Sequence, residues 1–252
     1  MSGSARLAVL TPDWPAPTGV RAAFTLRTGG VSAGPYASLN VGAHVGDRPD
    51  AVTENRRRVR AHLALPGEPA WIEQVHGTDV LELGGPEAAP PCAPVADAVI
   101  ARRSGEVCVV QVADCLPVLF AARDGSAVAA AHAGWRGLAA GVLEATVRRL
   151  GVDAGSLLAW LGPAIGVRHF EVGSEVREAF LGDDPAAGAA FTANTRGRWQ
   201  CDLVALARRR LHALGVAGIA GGEWCTYADP ERFFSYRRDR QCGRMAALIW
   251  LA

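Results

Sequence analysis

The chain has 252 residues, half of them hydrophobic, and a net charge of +1 at pH 7. This length is ample for a buried core, and the composition is that of a folded globular protein. A near-neutral charge excludes a general electrostatic attraction to nucleic acid or to anionic membranes. The 26 basic side chains other than histidine are all arginine. Mechanisms that need a lysine Schiff base or a Walker-type phosphate lysine are therefore excluded.

The sequence carries no pattern typical of secretion or membrane insertion. Its first apolar run is too short for a signal peptide, and no run approaches the length of a membrane span. The six cysteines stand singly, without a Cys-x-x-Cys pair, which does not fit a disulfide framework. Aromatic residues do not interleave with arginines in a long stripe. We therefore expect a cytoplasmic protein that binds neither membrane nor nucleic acid.

The first third of the chain predicts an irregular N-terminal lead-in over residues 1–19, followed by a few short elements. Asp47 is expected to cap the one helix of this part, and Pro49 suits its first turn. A proline-rich loop is predicted over residues 84–96. The predicted elements are a strand over 20–27, a helix over 46–65, a strand over 70–75 and a strand over 79–83.

The rest of the chain predicts short apolar strands mixed with helices. Asp-Gly at 124–125 favours a hairpin turn, and Asp202 is a predicted helix cap. Strands outnumber helices, and hairpins mix with crossovers. This predicts an α/β (α+β) fold of mixed β-sheets flanked by helices, in a single domain over 1–252. The predicted strands are 96–101, 107–113, 117–122, 127–133, 157–162 and a C-terminal one, and the predicted helices are 136–150, 173–181 and 202–214.

Three segments place a metal-binding side chain where a predicted strand meets a loop: "QVHG" with His76, "ADC" with Cys115 and "HAGWRG" with His132. Two imidazoles and a thiolate suit zinc, and three protein ligands leave a fourth position open. The same atoms allow a second interpretation, in which Cys115 is a nucleophile, His132 its base and Asp114 the group that orients the base. A third interpretation is structural: a buried cysteine and two hydrogen-bonded histidines. Spacing alone leaves all three open.

In combination, these motifs resemble one family. They follow in order with "TLRTGGVSAGPYASLNVGAHVGD", "LGPAIGVRHFEVG" and "FFSYRRDRQCGRMAALIWL", from about residue 20 to the C-terminus. They closely resemble the YfiH family, also called the polyphenol oxidase or laccase-domain family and, in some bacteria, peptidoglycan editing factor. The resemblance implies a single zinc held by His76, Cys115 and His132, in a fold similar to the catalytic domain of cytotoxic necrotizing factor toxins. Phe170 stands where the family often has tyrosine.

The family names point to different activities. A true multicopper laccase is excluded, because it needs many histidines in His-x-His pairs and this chain has six histidines and no such pair. Adventitious copper at the Cys/His site would give only weak oxidation. The resemblance implies a zinc-dependent purine nucleoside enzyme that phosphorolyses adenosine, inosine and methylthioadenosine and also deaminates adenosine. Two alternatives remain: hydrolytic editing of a peptidoglycan precursor, and a non-catalytic metal-binding protein.

A nucleoside enzyme assigns roles to further residues. Asp114 is a candidate proton shuttle, or an orienter of a histidine. Arg136 starts a predicted helix beside Gly134, which would keep the corner open for substrate. Its charge suits phosphate unless a carboxylate pairs with it. The expected partners are a purine nucleoside and phosphate, and the protein is expected to be a monomer or a homodimer. Polar side chains in glycine-rich or aromatic loops are weaker candidates for substrate contact: Ser38, Asn40 and Arg237.

Overall fold

The computed structural model describes residues 7–84 and 93–252, and the strands and helices within them follow one another closely. The strands are β1 Val9–Leu10, β2 Val20–Thr25, β3 Pro69–Ala70, β4 Val80–Glu82, β5 Ala98–Ala101, β6 Val107–Val112, β7 Leu116–Ala122, β8 Val128–Ala133, β9 Leu157–Leu161, β10 Glu171–Val172, β11 Phe191–Ala193, β12 Trp199–Cys201, β13 Gly218–Gly221 and β14 Met245–Leu251. The α-helices are α1 Pro49–His62, α2 Trp135–Ala140, α3 Val142–Leu150, α4 Ser174–Leu181, α5 Leu203–Ala213 and α6 Tyr236–Asp239.

Two large mixed sheets lie face to face, and helices cover their outer faces. One sheet has the order β1-β2-β14-β6-β3, and the other has the order β13-β9-β7-β8-β5-β4. A core cluster that includes Phe24, Leu119 and Ile249 fills the space between them. The outer face of the second sheet packs on α3 and α5, and Val59 of α1 packs on the first sheet. The predicted α/β fold of mixed sheets flanked by helices is confirmed.

Strand β7 shows why the central strands read as continuous apolar runs. Leu116, Val118 and Phe120 belong to the core cluster beneath the helices. Leu119 and Ala121 point to the opposite face and belong to the cluster between the sheets. Successive side chains of a strand alternate between its faces, and here both faces are buried. Every residue of β7 is therefore apolar.

The strand order in the second sheet brings four chain segments to one edge. β8 is antiparallel to both β7 and β5, and β5 is parallel to β4. The end of β8 consequently lies beside the starts of β7, β5 and β4. The residues at these four positions build the site described below.

Two predicted elements differ in the structure. The helix predicted over 136–150 is two helices, α2 and α3, because Gly141 between them has a φ of 99°. This left-handed conformation is open to glycine at little cost and interrupts the helical hydrogen-bond ladder. The strand predicted over 70–75 is confined to β3, and Glu73 adds only an isolated bridge to Val95.

Helix caps gave mixed outcomes. Asp202 caps α5 as predicted, by accepting a hydrogen bond from the amide of Ala205. The cap position of α1 is Arg48, and Asp47 does not cap that helix. The Asp47 carboxylate instead accepts hydrogen bonds from Ser32 and Asn40, so the neighbouring loop had a stronger claim on it.

At the N-terminus, the lead-in predicted to be irregular over residues 1–19 contains β1, which pairs with β2. Residues 1–6 of it lie outside the described part of the chain, as do residues 85–92 of the predicted proline-rich loop. Within the described residues, no helix combines the length and the apolar character that crossing a membrane requires.

Candidate metal centre

His76, Cys115 and His132 converge at the sheet edge. Their ligand atoms all lie within 4.8 Å of one another, and Cys115 Sγ is 3.6 Å from His76 Nε2. Among the described residues, they form the one group of three or more side chains able to hold a metal ion. His132 is buried, Cys115 is half-buried and His76 is exposed. One side of the group therefore faces solvent.

A buried carboxylate that sequence analysis missed, Asp97, fixes the orientation of His132. Asp97 directly precedes β5, and its Oδ1 lies 2.8 Å from His132 Nδ1. When Nδ1–H donates to this carboxylate, the lone pair of Nε2 is directed to the other two ligands. Asp97 is fully buried, so this contact is shielded from water.

Asp97 also holds the turn that carries His76. Its carboxylate accepts hydrogen bonds from the backbone amides of Val75, His76 and Gly77, at 3.1, 3.0 and 2.6 Å. His76 has a φ of 62°, a conformation that non-glycine residues seldom adopt and that tends to occur at functional sites. One carboxylate therefore positions two of the three candidate ligands.

The pKa values of the group are strongly perturbed. Burial alone would raise the pKa of Cys115, but the nearby His132 and His76 favour the thiolate and lower it to about 6. Burial opposes the charging of His132, yet the Cys115 thiolate and Asp97 raise its pKa to about 9. Without metal, the stable state at neutral pH is a thiolate beside an imidazolium. Metal binding must displace the proton from His132.

In metal-free protein, Cys115 should react with iodoacetamide at a pH where ordinary thiols are inert. Below a pKa of about 6 the sulfur is a protonated thiol, and above it the sulfur is the nucleophilic thiolate. Peptide mapping across a pH series should place the midpoint of Cys115 labelling near pH 6, and added zinc should suppress it. Cys201, whose pKa burial raises to about 12, is an internal control. A midpoint near the usual 9.0 would contradict the assigned electrostatics.

The spacing of the donors fits a zinc ion. Tetrahedral zinc with ordinary Zn–S and Zn–N distances separates a sulfur from a nitrogen ligand by about 3.5 Å. The observed distance from Cys115 Sγ to His76 Nε2 is 3.6 Å. Thiolate and imidazole are also the donors that zinc prefers, whereas calcium and magnesium prefer oxygen.

Gly134 has a different role from the one expected. A Cβ at this position would lie 2.6 Å from His76 Cδ2 and 3.0 Å from Cys115 Sγ. The missing side chain therefore makes room for the ligands and not for a substrate. Gly137 similarly packs against the backbone of the His76 turn, since a Cβ there would lie 3.0 Å from the carbonyl oxygen of Gly77.

The three ligands open onto a cavity of about 410 Å³. Polar groups from distant parts of the chain share its wall, and no acidic side chain of the described residues does so. Sequence analysis did not single out most of these groups, because only the fold brings them together. Besides the ligands, the polar lining residues are His44, Gln74, Gln111, Arg136, Tyr236 and Arg244.

Asp114 lies next to ligand Cys115, but its carboxylate is directed away from the metal group. Oδ1 accepts a hydrogen bond of 2.6 Å from Thr226 Oγ1, and Oδ2 accepts one of 2.7 Å from the amide of Arg237. Asp114 has a φ of 93°, and these bonds hold it there. The carboxylate that orients His132 is Asp97 and not Asp114.

The two predicted arginines sit in different surroundings. Arg136 is exposed, stacks on the ring of Trp135 at 4.4 Å and lines the cavity. Arg237 donates from Nη1 to the carbonyl oxygen of Glu171 at 2.9 Å and lies over Phe170. The guanidinium of Arg136 is thus available to a ligand, whereas that of Arg237 is engaged by the protein.

Ser38 and Asn40 belong to a hydrogen-bond network and do not line the metal cavity. Ser38 Oγ accepts from the amide of Gly30, and Asn40 Nδ2 donates to Asp47. Asn40 Oδ1 accepts from the amide of Arg244, so it fixes the backbone of a residue that does line the cavity. Their contacts are those of residues that position a loop.

Comparison with known proteins gives consistent relatives. The family described as "Multi-copper polyphenol oxidoreductase laccase" matches residues 21–252. Purine nucleoside phosphorylase YfiH of Escherichia coli is 55% identical over 243 residues, covering 96% of this chain and 98% of the relative. Purine nucleoside phosphorylase PA4543 of Pseudomonas aeruginosa is 54% identical with the same coverage. The crystal structure of Neisseria meningitidis protein NMB0706 has a TM-score of 0.90 at 48% identity, covering 96% of this chain and 98% of the other.

Fold and site together define an α/β protein with an open His-Cys-His group at the edge of a mixed sheet. Its relatives in the curated comparison carry the names of purine nucleoside enzymes. The chain belongs to the YfiH family, as its motifs predict. The word "multi-copper" in the family description finds no counterpart in the described residues, which hold one candidate metal group.

Proposed function

We propose that this protein is a zinc-dependent enzyme that phosphorolyses purine nucleosides, with adenosine, inosine and methylthioadenosine as substrates. The observation that carries the proposal is the composition of the metal cavity. It joins the His-Cys-His group to two arginines, Arg136 and Arg244, without a described carboxylate in its wall. A phosphorylase needs such a surplus of positive charge, because its second substrate is phosphate.

The surroundings of His44 support a positive potential in this cavity. Burial first, and then the charges of Arg244 and Arg56, lower the pKa of His44. Arg244 Nη1 donates to the carbonyl oxygens of Cys242 and Gly243, both at 3.1 Å, which fixes its guanidinium. A fixed arginine binds an oxyanion with less loss of side-chain entropy than a mobile one.

Each group has a distinct part in the proposed reaction. Phosphorolysis forms a bond between a phosphate oxygen and C1′ of the ribose and breaks the bond from C1′ to the base, which leaves with a proton. Arg136 and Arg244 hold the phosphate, and Asp97 keeps His132 and His76 in place. His76, Cys115 and His132 hold zinc, which supplies Lewis acidity when bound. Asp114 acts by positioning, because Thr226 and the amide of Arg237 occupy its oxygens.

Incubation of the purified protein with adenosine, with and without phosphate, tests the proposal. Adenine and ribose 1-phosphate should form only when phosphate is present. Inosine formed without phosphate would reveal the deaminase activity that the family resemblance implies. If no nucleoside is consumed and an amino acid is released from a muramoyl precursor, the protein is a cell-wall editing enzyme and the proposal is wrong.

The phosphate assignment has its own variant. Arg136→Ala should raise the KM for phosphate roughly tenfold or more, since hydrogen bonds to charged groups contribute about 1.5–3 kcal/mol. The KM for adenosine should change less. Arg148→Ala, which removes an exposed arginine of α3 far along the chain from the metal ligands, is the matched control. An equal effect of both variants would contradict the assignment.

A further inference from the structure

Gln111 is a buried glutamine whose side chain has unsatisfied hydrogen-bonding capacity. It lies in β6, is 6% exposed and lines the metal cavity. Its Oε1 is buried without a hydrogen-bond partner among the described residues. Buried amide groups in folded proteins are normally paired, and an unpaired one destabilises the fold unless a ligand or water supplies the partner.

The neighbouring glutamine explains why the side chain of Gln111 is left unpaired. β3 pairs with β6 only at Val107 and Cys108, so the backbone of Gln111 has no strand on that side. The side chain of Gln74 takes that place. Its Oε1 accepts from the amide of Gln111 at 2.7 Å, and its Nε2 donates to the Gln111 carbonyl oxygen at 2.9 Å. The backbone of Gln111 is thus fixed, and its side-chain amide remains available to the cavity.

An amide presents a donor beside an acceptor, and purine bases carry the complementary pair. Adenine offers the 6-amino donor beside an acceptor ring nitrogen, and hypoxanthine offers the 6-oxo acceptor beside the N1–H donor. Rotation of the glutamine amide by half a turn exchanges its donor with its acceptor. One glutamine can therefore pair with either base.

We propose that Gln111 recognises the substituent at position 6 of the purine base and lets this site accept both 6-amino and 6-oxo purine nucleosides. This inference rests on the nucleoside activity proposed above. Gln111 is a specificity-determining residue on this view, and Gln74 is the residue that positions it.

The test is a cycle of substrates and variants. Phosphorolysis of adenosine, inosine and purine riboside, which lacks a group at position 6, is measured for the wild type and for Gln111→Met. The substitution should lower kcat/KM for adenosine and inosine by roughly 10-fold to 100-fold, the range for a lost bidentate pair. The loss for purine riboside should be clearly smaller. Gln241→Met makes the same exchange outside the cavity and should change none of the three values.

The outcomes separate this inference from the proposed function. If the wild type turns over no nucleoside, both are wrong. If the wild type is active and Gln111→Met lowers all three values equally or not at all, only the role of Gln111 is wrong. The wild type alone also decides, should the variant fail to fold. Purine riboside turned over as well as adenosine and inosine would overturn the inference.

Discussion

Replacement of Cys115 by alanine should remove the bound metal and lower nucleoside turnover by more than about 100-fold. Loss of a residue that merely orients a metal ligand already lowers metal affinity by 10- to 100-fold, so loss of a ligand should do more. The sulfur of Cys115 lies 3.6 Å from His76 Nε2, and only two imidazoles would remain. Metal analysis of the purified variant and phosphate-dependent release of adenine measure the two effects.

Cys225→Ala is the matched control for this variant. Cys225 is also partly buried, and its Sγ lies 3.5 Å from His169 Nδ1, so it too belongs to a thiol-imidazole pair. It is not part of the metal group. The control should keep one zinc per chain and near-normal turnover. If Cys115→Ala retained stoichiometric zinc, the ligand assignment would be wrong, and a thiol with a purely nucleophilic role would have to be considered.

Local sequence patterns predicted the parts of this protein that depend on local physics. Alternation and apolar runs located the central strands, because β7 and β8 are buried on both faces. Asp202 was a correct cap, since a cap needs only a carboxylate and an amide three residues later. The metal ligands were found because histidine and cysteine stood beside strand ends, and family resemblance selected zinc from the alternatives that spacing left open.

The residues that sequence analysis missed depend on distant contacts. Asp97 precedes an apolar strand and looked like an ordinary strand start. Its role arises because the amides of a turn 20 to 22 residues earlier fold around it. The unpaired amide of Gln111 depends in the same way on Gln74, which is 37 residues away. Such contacts have no signature in a single sequence.

Polar residues in loops were the opposite case, in which composition suggested more than the contacts support. Ser38 and Asn40 lie in a loop that Asn55 of α1 holds together. Asn55 Nδ2 donates to the carbonyl oxygens of both residues, at 3.2 and 2.8 Å. A glycine-rich loop leaves many backbone groups to satisfy, and its polar side chains are used first for that purpose.

Asp97→Asn should weaken zinc binding by about 10- to 100-fold and lower the free energy of unfolding by about 3 kcal/mol. Asparagine has nearly the same shape but carries an amide nitrogen in place of one carboxylate oxygen. That nitrogen cannot accept from the amides of Val75 or Gly77, so at least one buried donor loses its partner. Chelator competition measures the affinity, and urea unfolding of metal-free protein measures the stability.

Asp79→Asn is the matched control, since it alters an exposed carboxylate four residues from Asp97's turn partner Val75 and should leave both quantities unchanged. The two effects of Asp97→Asn report different contacts. The loss of stability in metal-free protein comes from the turn at His76, whereas the loss of affinity also includes the missing charge beside His132 Nδ1. A variant that lost stability but bound zinc normally would show that Asp97 supports the turn without orienting His132. Normal stability with weak zinc binding would show the reverse.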